Sequence, residues 1–212
     1  MASRRLEDRG LTMVELLVAM GIFVTVLAVF MTGVVSMTRT TASAQGVSDA
    51  TTATRKVLDL FDRQVRYSTG INRPGLGSAS GSYYVEFAMP AQAAGAIPLC
   101  VQWRYDPAEQ TIALRTWNDT ATPYPSDWNS MAANVRNDLA TEAPFEFSAS
   151  SSNSKEQKLR VLLDIGVGAQ RGALVATTYV ARNTSTATQT NSDLDLNNLS
   201  DTPVCQSGVG RP

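Results

Sequence analysis

The stretch Arg9-Gly10-Leu11-Thr12-Met13-Val14-Glu15, followed by the uncharged run Leu16 to Val35 (LLVAMGIFVTVLAVFMTGVV), decides how the rest of the chain is read. The first flanking charges are Glu15 and Arg39. At about 1.5 Å of rise per residue, such a run matches a hydrocarbon layer of roughly 30 Å and is expected to cross a bilayer as one helix. Glu15 is the odd residue, because a carboxylate at the centre of a span costs about 2.5 to 3.5 kcal/mol, less near the interface, and so requires a named partner. An ordinary signal peptide does not explain it: such leaders have a shorter apolar core with the cleavage site after it, whereas here the conspicuous Gly10 precedes the core. A cut between Gly10 and Leu11 would create a new amino group near Glu15 and so supply a cation.

This pattern of Gly, apolar residue, Thr, two apolar residues, Glu and a long apolar run resembles the prepilin leader of type IV pilins and type II secretion pseudopilins. The resemblance implies that a prepilin peptidase removes residues 1–10 at Gly10/Leu11 and N-methylates Leu11. It further implies that Glu15 forms an assembly ion pair with the amino terminus of a neighbouring subunit as anchors leave the membrane and stack into a filament. The plainer alternative is a type II membrane anchor with a chance Glu.

A chain of 212 residues with 43% hydrophobic content suits one globular domain plus an anchor. Net charge is −1, and Arg4, Arg5 and Arg9 lie before the span. The positive-inside rule therefore puts residues 1–10 in the cytoplasm and the remainder outside the cytoplasmic (inner) membrane. Direct nucleic-acid binding is not supported, since the chain is not basic and its later Lys and Arg are scattered.

Cys100 and Cys205 are the only cysteines, and this topology puts both in an oxidising space. A disulfide closing a loop of about 105 residues would contribute roughly 4 to 5 kcal/mol through the unfolded state. The other reading makes Cys100 a buried small hydrophobe on a strand and Cys205 an unpaired thiol.

No proline lies between Met1 and Arg73, so the helix is expected to continue beyond the span to about Tyr67, roughly 85 Å in all. Val47, Ala50, Thr54, Val57, Leu58, Phe61 and Val65 recur at three- and four-residue spacing and form one apolar stripe that should lie on a sheet. Residues 38–46 have weak helix propensity and are expected to bend or melt. Residues 72–81 read as loop. Strands are expected at Tyr83–Ala88, Leu99–Tyr105, Thr111–Trp117, Phe145–Ser148, Leu159–Val167 and Leu174–Arg182, with 99–117 a hairpin turning at Asp106–Gln110. Ser130–Ala140 is expected to be a short helix, and the residues from Asn183 onward irregular.

The expected fold class is α+β: a long N-terminal helix packed on a C-terminal antiparallel sheet domain. Its expected organisation is a leader 1–10, an assembly half of the helix 11–38, an amphipathic half 39–69, and a β-rich domain with a polar tail 70–212. The hairpin Val101-Gln102-Trp103-Arg104-Tyr105-Asp106 with Leu114-Arg115, and later Tyr179-Val180-Ala181-Arg182-Asn183, resembles J-type pseudopilins and W-type (PilW-like) minor pilins. That likeness implies a minor rather than a major subunit.

Few residues suggest chemistry. With no histidine, Ser-His-Asp and Cys-His systems and the commonest transition-metal ligand are excluded. Gly75-Leu76-Gly77 with Gly81 lacks the strand, helix and Gly-Lys-Ser/Thr of a phosphate loop and reads as flexible loop. Asp193, Asp195, Asn197 and Asp201 place oxygens at alternating positions, as calcium needs, and some pseudopilins bind calcium in a C-terminal loop. The sixth position, however, is Asn198 rather than Gly and the twelfth Val204 rather than Glu. Trp117, Tyr124 and Trp128, with Asp119 and Asp127, either cap the core or bind a partner.

The resulting expectation is a non-enzymatic minor pilin-like subunit of a type IV pilus serving motility, adhesion or DNA uptake, with a secretion pseudopilin as the alternative. Its partners would be the prepilin peptidase, other pilin or pseudopilin subunits, the inner-membrane assembly platform and the membrane itself. A membrane-tethered binding domain with a passive anchor is the remaining class.

Overall fold

The computed structural model of the chain describes residues 12–91, 97–167, 170–205 and 209–212. The chain divides into two compact units, Met1–Gln45 and Gly46–Pro212. Helix α1 (Met13–Arg66) contributes to both.

In the first unit, the described residues from Thr12 to Ala42 are all exposed, and their large apolar side chains lie around the whole helix. The segment expected to melt, 38–46, is instead helical. Thr38, Thr40 and Thr41 turn their hydroxyls back to the carbonyls of Val34, Ser36 and Met37, so their polar groups are satisfied inside the helix rather than competing with it.

In the second unit, the described residues include nine strands in two antiparallel sheets. The larger sheet has the order β1 (Gly70–Ile71), β3 (Tyr83–Met89), β4 (Leu99–Asp106), β5 (Thr111–Asn118), β6 (Asn129–Ala133), with β2 (Gly75–Leu76) also paired to β3. The smaller sheet is β7 (Phe145–Ser148), β8 (Gln157–Val167), β9 (Gln170–Ala181). The predicted 99–117 hairpin is present as β4–β5, with Leu99 opposite Asn118 and Asp106 opposite Thr111.

The stripe on α1 is buried at Ala50, Thr54, Val57, Phe61 and Val65. Phe61 occupies the centre of the core. Its ring stacks on Trp103 of β4 at 4.1 Å between centroids and meets Phe87 of β3, Phe145 of β7 and Tyr179 of β9 at 6.5, 5.8 and 6.2 Å. One helical side chain thus contacts both sheets. Trp103 Nε1 donates to Gln64 Oε1 at 2.9 Å, and the Tyr179 hydroxyl donates to the Leu58 carbonyl at 2.9 Å, so the polar edges of two core aromatics are satisfied by the same helix.

The expected helix at 130–140 is not formed. Residues 129–133 pair as β6 with β5, and the backbone N–H groups of Val135 and Arg136 donate to Gln110 and Asp164 instead of to their own turn. Asn137 is buried, and its amide donates to the Leu162 carbonyl and accepts from Asp164 N–H, holding this segment to β8. Long-range hydrogen bonds override the local helix preference of Met131, Ala132 and Ala133.

Candidate functional site

The first candidate lies at the start of α1. Gly10 and Leu11, the expected cleavage and methylation positions, lie outside the described residues. Thr12 caps the helix: its Oγ1 accepts from Glu15 N–H at 3.3 Å. Thr12-Met13-Val14-Glu15 therefore has the spacing of a capping box, in which a Thr at the cap and a Glu three residues on serve the free N–H groups of the first turn. The helix dipole also favours an anion there. The spacing was present in the sequence, and the positive end of the helix is a favourable local setting for the Glu15 carboxylate besides any role toward a second subunit. From Met13 to Met37 the helix presents Leu, Val, Ile, Met and Phe to its surroundings on every side, and it is long and apolar enough to be a candidate membrane span.

Cys100 of β4 and Cys205 are joined in a disulfide with Cα atoms 6.0 Å apart. Trp117, opposite Cys100 on β5, is buried beside the bond together with Ala88, Val204 and Val209. Of the three aromatics singled out in the loop region, Trp117 is therefore core. Trp128 is held between the guanidinium groups of Arg104 and Arg115, 4.5 and 4.4 Å from its ring centroid, and only Tyr124 stands in solvent, 91% exposed. Arg136 lies elsewhere, 3.9 Å from Asp164.

The carboxylates of Asp193, Asp195 and Asp201 do converge, within 4.8 Å of one another. Asp201 accepts from Ser192 Oγ and from Leu194 N–H, and these bonds hold its carboxyl below the usual carboxylate range. Asp195 accepts from the backbone and side-chain N–H groups of Asn197, whose own Oδ1 is turned to Leu199 N–H. Asp193 faces Arg73 at 3.7 Å, and the two buried atoms here without a hydrogen bond, Asp193 Oδ1 and Arg73 Nε, belong to that same ion pair. Asn197, the fourth residue of the expected set, turns its Oδ1 to Leu199 N–H, and Arg73 already supplies a cation beside Asp193.

Sequence reasoning missed a cluster on the face of the larger sheet opposite α1. Five consecutive β3 residues, Tyr84 to Ala88, and four of β4, Cys100 to Trp103, are buried, so both faces of these strands are covered. Register places Glu86, Gln102 and Arg115 in one cross-strand row on the outer face. An alternating apolar and polar pattern looks the same whether the polar row meets water or a covering segment, and no signal in the strands themselves distinguishes the two.

Comparison of the chain with protein-family models, with curated proteins and with solved structures finds no match.

Proposed function

We propose that the chain is a minor pilin-like structural subunit, processed by a prepilin peptidase between Gly10 and Leu11 and assembled through α1 into a type IV pilus filament. The observation that carries this reading is the helix surface from Met13 to Met37: apolar on all sides, uncovered, and headed by a single acid in its first turn. A helix followed by an antiparallel sheet domain is consistent with a pilin-like fold. The resemblance of the leader region supplies the processing step.

The mechanism follows from solvation. In the membrane the apolar faces of α1 meet lipid. In a filament they exchange lipid for neighbouring helices, at little net change in apolar burial. Glu15 then discriminates between registers, because its carboxylate is stabilised in that dry environment only where the released amino group of another subunit lies opposite. The Leu11 amino group exists only after cleavage, so processing and assembly are coupled. A secretion pseudopilus would use the same physics, and the J-type resemblance favours it as the second reading. Neighbouring genes for a retraction motor or for an outer-membrane secretin separate the two.

Two measurements test the proposal. Intact mass of the mature protein from its native host should show residues 1–10 absent and Leu11 methylated; retention of the leader overturns it. The capping role and the pairing role of Glu15 are separated by Glu15→Gln, which keeps a capping-box side chain and removes the charge. Filament incorporation should fall at least about tenfold in Glu15→Gln as in Glu15→Ala, with insertion into the membrane unchanged, if a charge pair worth more than about 1.4 kcal/mol sets register. Incorporation of Glu15→Gln at the wild-type level assigns Glu15 to the cap alone.

A further inference from the structure

The outer face of the larger sheet is covered by Val209–Pro212, and the contacts are those of a ligand in a receptor. The segment belongs to no strand. Each of three successive backbone oxygens nevertheless receives two donors. Gly210 O accepts from Gln102 Nε2 at 2.9 Å and Arg115 Nη2 at 3.2 Å. Arg211 O accepts from Ser78 N–H at 2.9 Å and Ser78 Oγ at 3.1 Å. Pro212 O accepts from Ser80 Oγ at 2.6 Å and the Tyr84 hydroxyl at 2.7 Å.

The side chain of Arg211 is read as closely. Its Nε and Nη2 donate to the two oxygens of Glu86 at 2.8 and 2.6 Å, and Nη2 also reaches the Arg73 carbonyl at 2.7 Å. Glu86 is only 5% exposed and is held in place by Gln102 Nε2 at 2.8 Å and Asn72 Nδ2 at 3.3 Å. A planar fork of donors against a buried carboxylate is the geometry that selects guanidinium over ammonium. The cradle is also shaped for this occupant. A Cβ on Gly75 would lie 2.6 Å from Arg211 Nη1, and one on Gly77 would lie 2.5 Å from Pro212 O. The glycines that superficially suggested a phosphate loop make room for a peptide.

The resident does not complete the site. Beside it lies a cavity of about 290 Å³ whose apolar walls include Leu76, Trp117, Leu199, Pro203 and Val209. Two buried donors at its border, Trp117 Nε1 and Arg211 Nη1, have no hydrogen-bond partner.

We propose that this face is a peptide-binding groove, selective for an extended segment with arginine after a small residue, which the chain fills with its own residues 209–212 and which an arginine-bearing peptide supplied in trans occupies when that resident is unseated. Tethering just beyond Cys205 gives the resident a high effective concentration, so the groove reads as closed in the wild-type chain and open once the Arg211 contacts are weakened.

The test uses the full chain in detergent with the disulfide intact, and the probe Ac-Val-Gly-Arg-Pro-NH2 measured by calorimetry. Arg211→Ala should bind the probe at least about tenfold more tightly than wild type does. The same probe with alanine for arginine, and the double variant Arg211→Ala with Glu86→Gln, should each lose about tenfold or more. The proposal is overturned if Arg211→Ala keeps its Cys100–Cys205 bond and native near-ultraviolet dichroism yet binds the probe no better than wild type, or binds the alanine probe equally well. Should Arg211→Ala not fold, Arg211→Lys replaces it in the same comparison, since it keeps a cation at Glu86 while losing the two-pronged bond, and the same two outcomes decide.

Discussion

Phe30 and Phe61 lie on the same helix, the first 63% exposed and the second fully buried. The sequence around each explains the difference. Around Phe30 large apolar residues lie on every side of the helix, so no single stripe is set apart for burial and their side chains are exposed. Around Phe61 the buried positions recur at Ala50, Thr54, Val57 and Val65, one stripe that the chain's own sheets cover. One stretch keeps its apolar side chains at the surface and the other uses them for folding. The sharpest way to break this comparison is Phe61→Ala. It removes the ring shared by four aromatic neighbours and should cost about 3 to 5 kcal/mol of unfolding free energy, read as a shift in the urea midpoint. A loss below about 1 kcal/mol would mean that the centre of the core lies elsewhere.

The next effect lies on the far side of the sheet from Phe61. Reducing the Cys100–Cys205 bond, or replacing both residues with serine, should cost about 2 to 4 kcal/mol, with a lower urea midpoint. This is below the full loop-closure figure because a compact unfolded ensemble already restricts part of the loop. Val204 N–H remains bonded to Asn72 Oδ1 at 2.8 Å, so the native covering segment should stay in place after reduction and the probe peptide should not gain access through reduction alone.

Tyr179→Phe acts on the same core at about 1 kcal/mol, because it removes one hydrogen bond, to the Leu58 carbonyl, and leaves the ring. It carries a pH signature as well. Burial pushes the Tyr179 hydroxyl up to about 12. The group is neutral in both folded and unfolded chains below about pH 10, its ordinary value, so its contribution is complete there. Between about pH 10 and 12 the unfolded chain loses the proton first, and the contribution is lost as pH rises. Tyr83 and Tyr105, also raised by burial, leave a residual slope in the variant. An unchanged alkaline limb in Tyr179→Phe would remove Tyr179 from this account.

The six longer strands β3, β4, β5, β7, β8 and β9, the hairpin and the helical stripe were legible because each follows a period of two or of three to four residues that the core enforces, whereas the two-residue strand β2 lies inside the stretch 72–81 that reads as loop. Residues 129–133 were not legible as strand, since Met131, Ala132 and Ala133 favour helix locally and only pairing to β5 makes them extended. The outer groove was invisible for a different reason. Glu86, Gln102 and Arg115 alternate like any wetted face, and Val209–Pro212 has no periodicity to mark it as their cover. At the start of α1 the capping spacing of Thr12 and Glu15 stands in the sequence beside the apolar run whose lipid-like surroundings make an acid costly. Gly75 and Gly77 looked like flexibility and are steric clearance.

The smallest expected effect falls on the other member of the opening pair. Phe30→Ala removes a ring that touches no core, so the unfolding free energy of the second unit, read from urea titration in detergent, should change by less than about 0.5 kcal/mol, against the several lost at Phe61. Its consequence should appear only where the helix surface has something to meet. If that surface is covered by neighbouring helices, truncation leaves a void at each contact, and filament incorporation should fall while folding and membrane insertion do not. A variant that folds, inserts and assembles as wild type would leave the aromatic at this position without a packing partner and would confine the assembly surface to other positions of the helix.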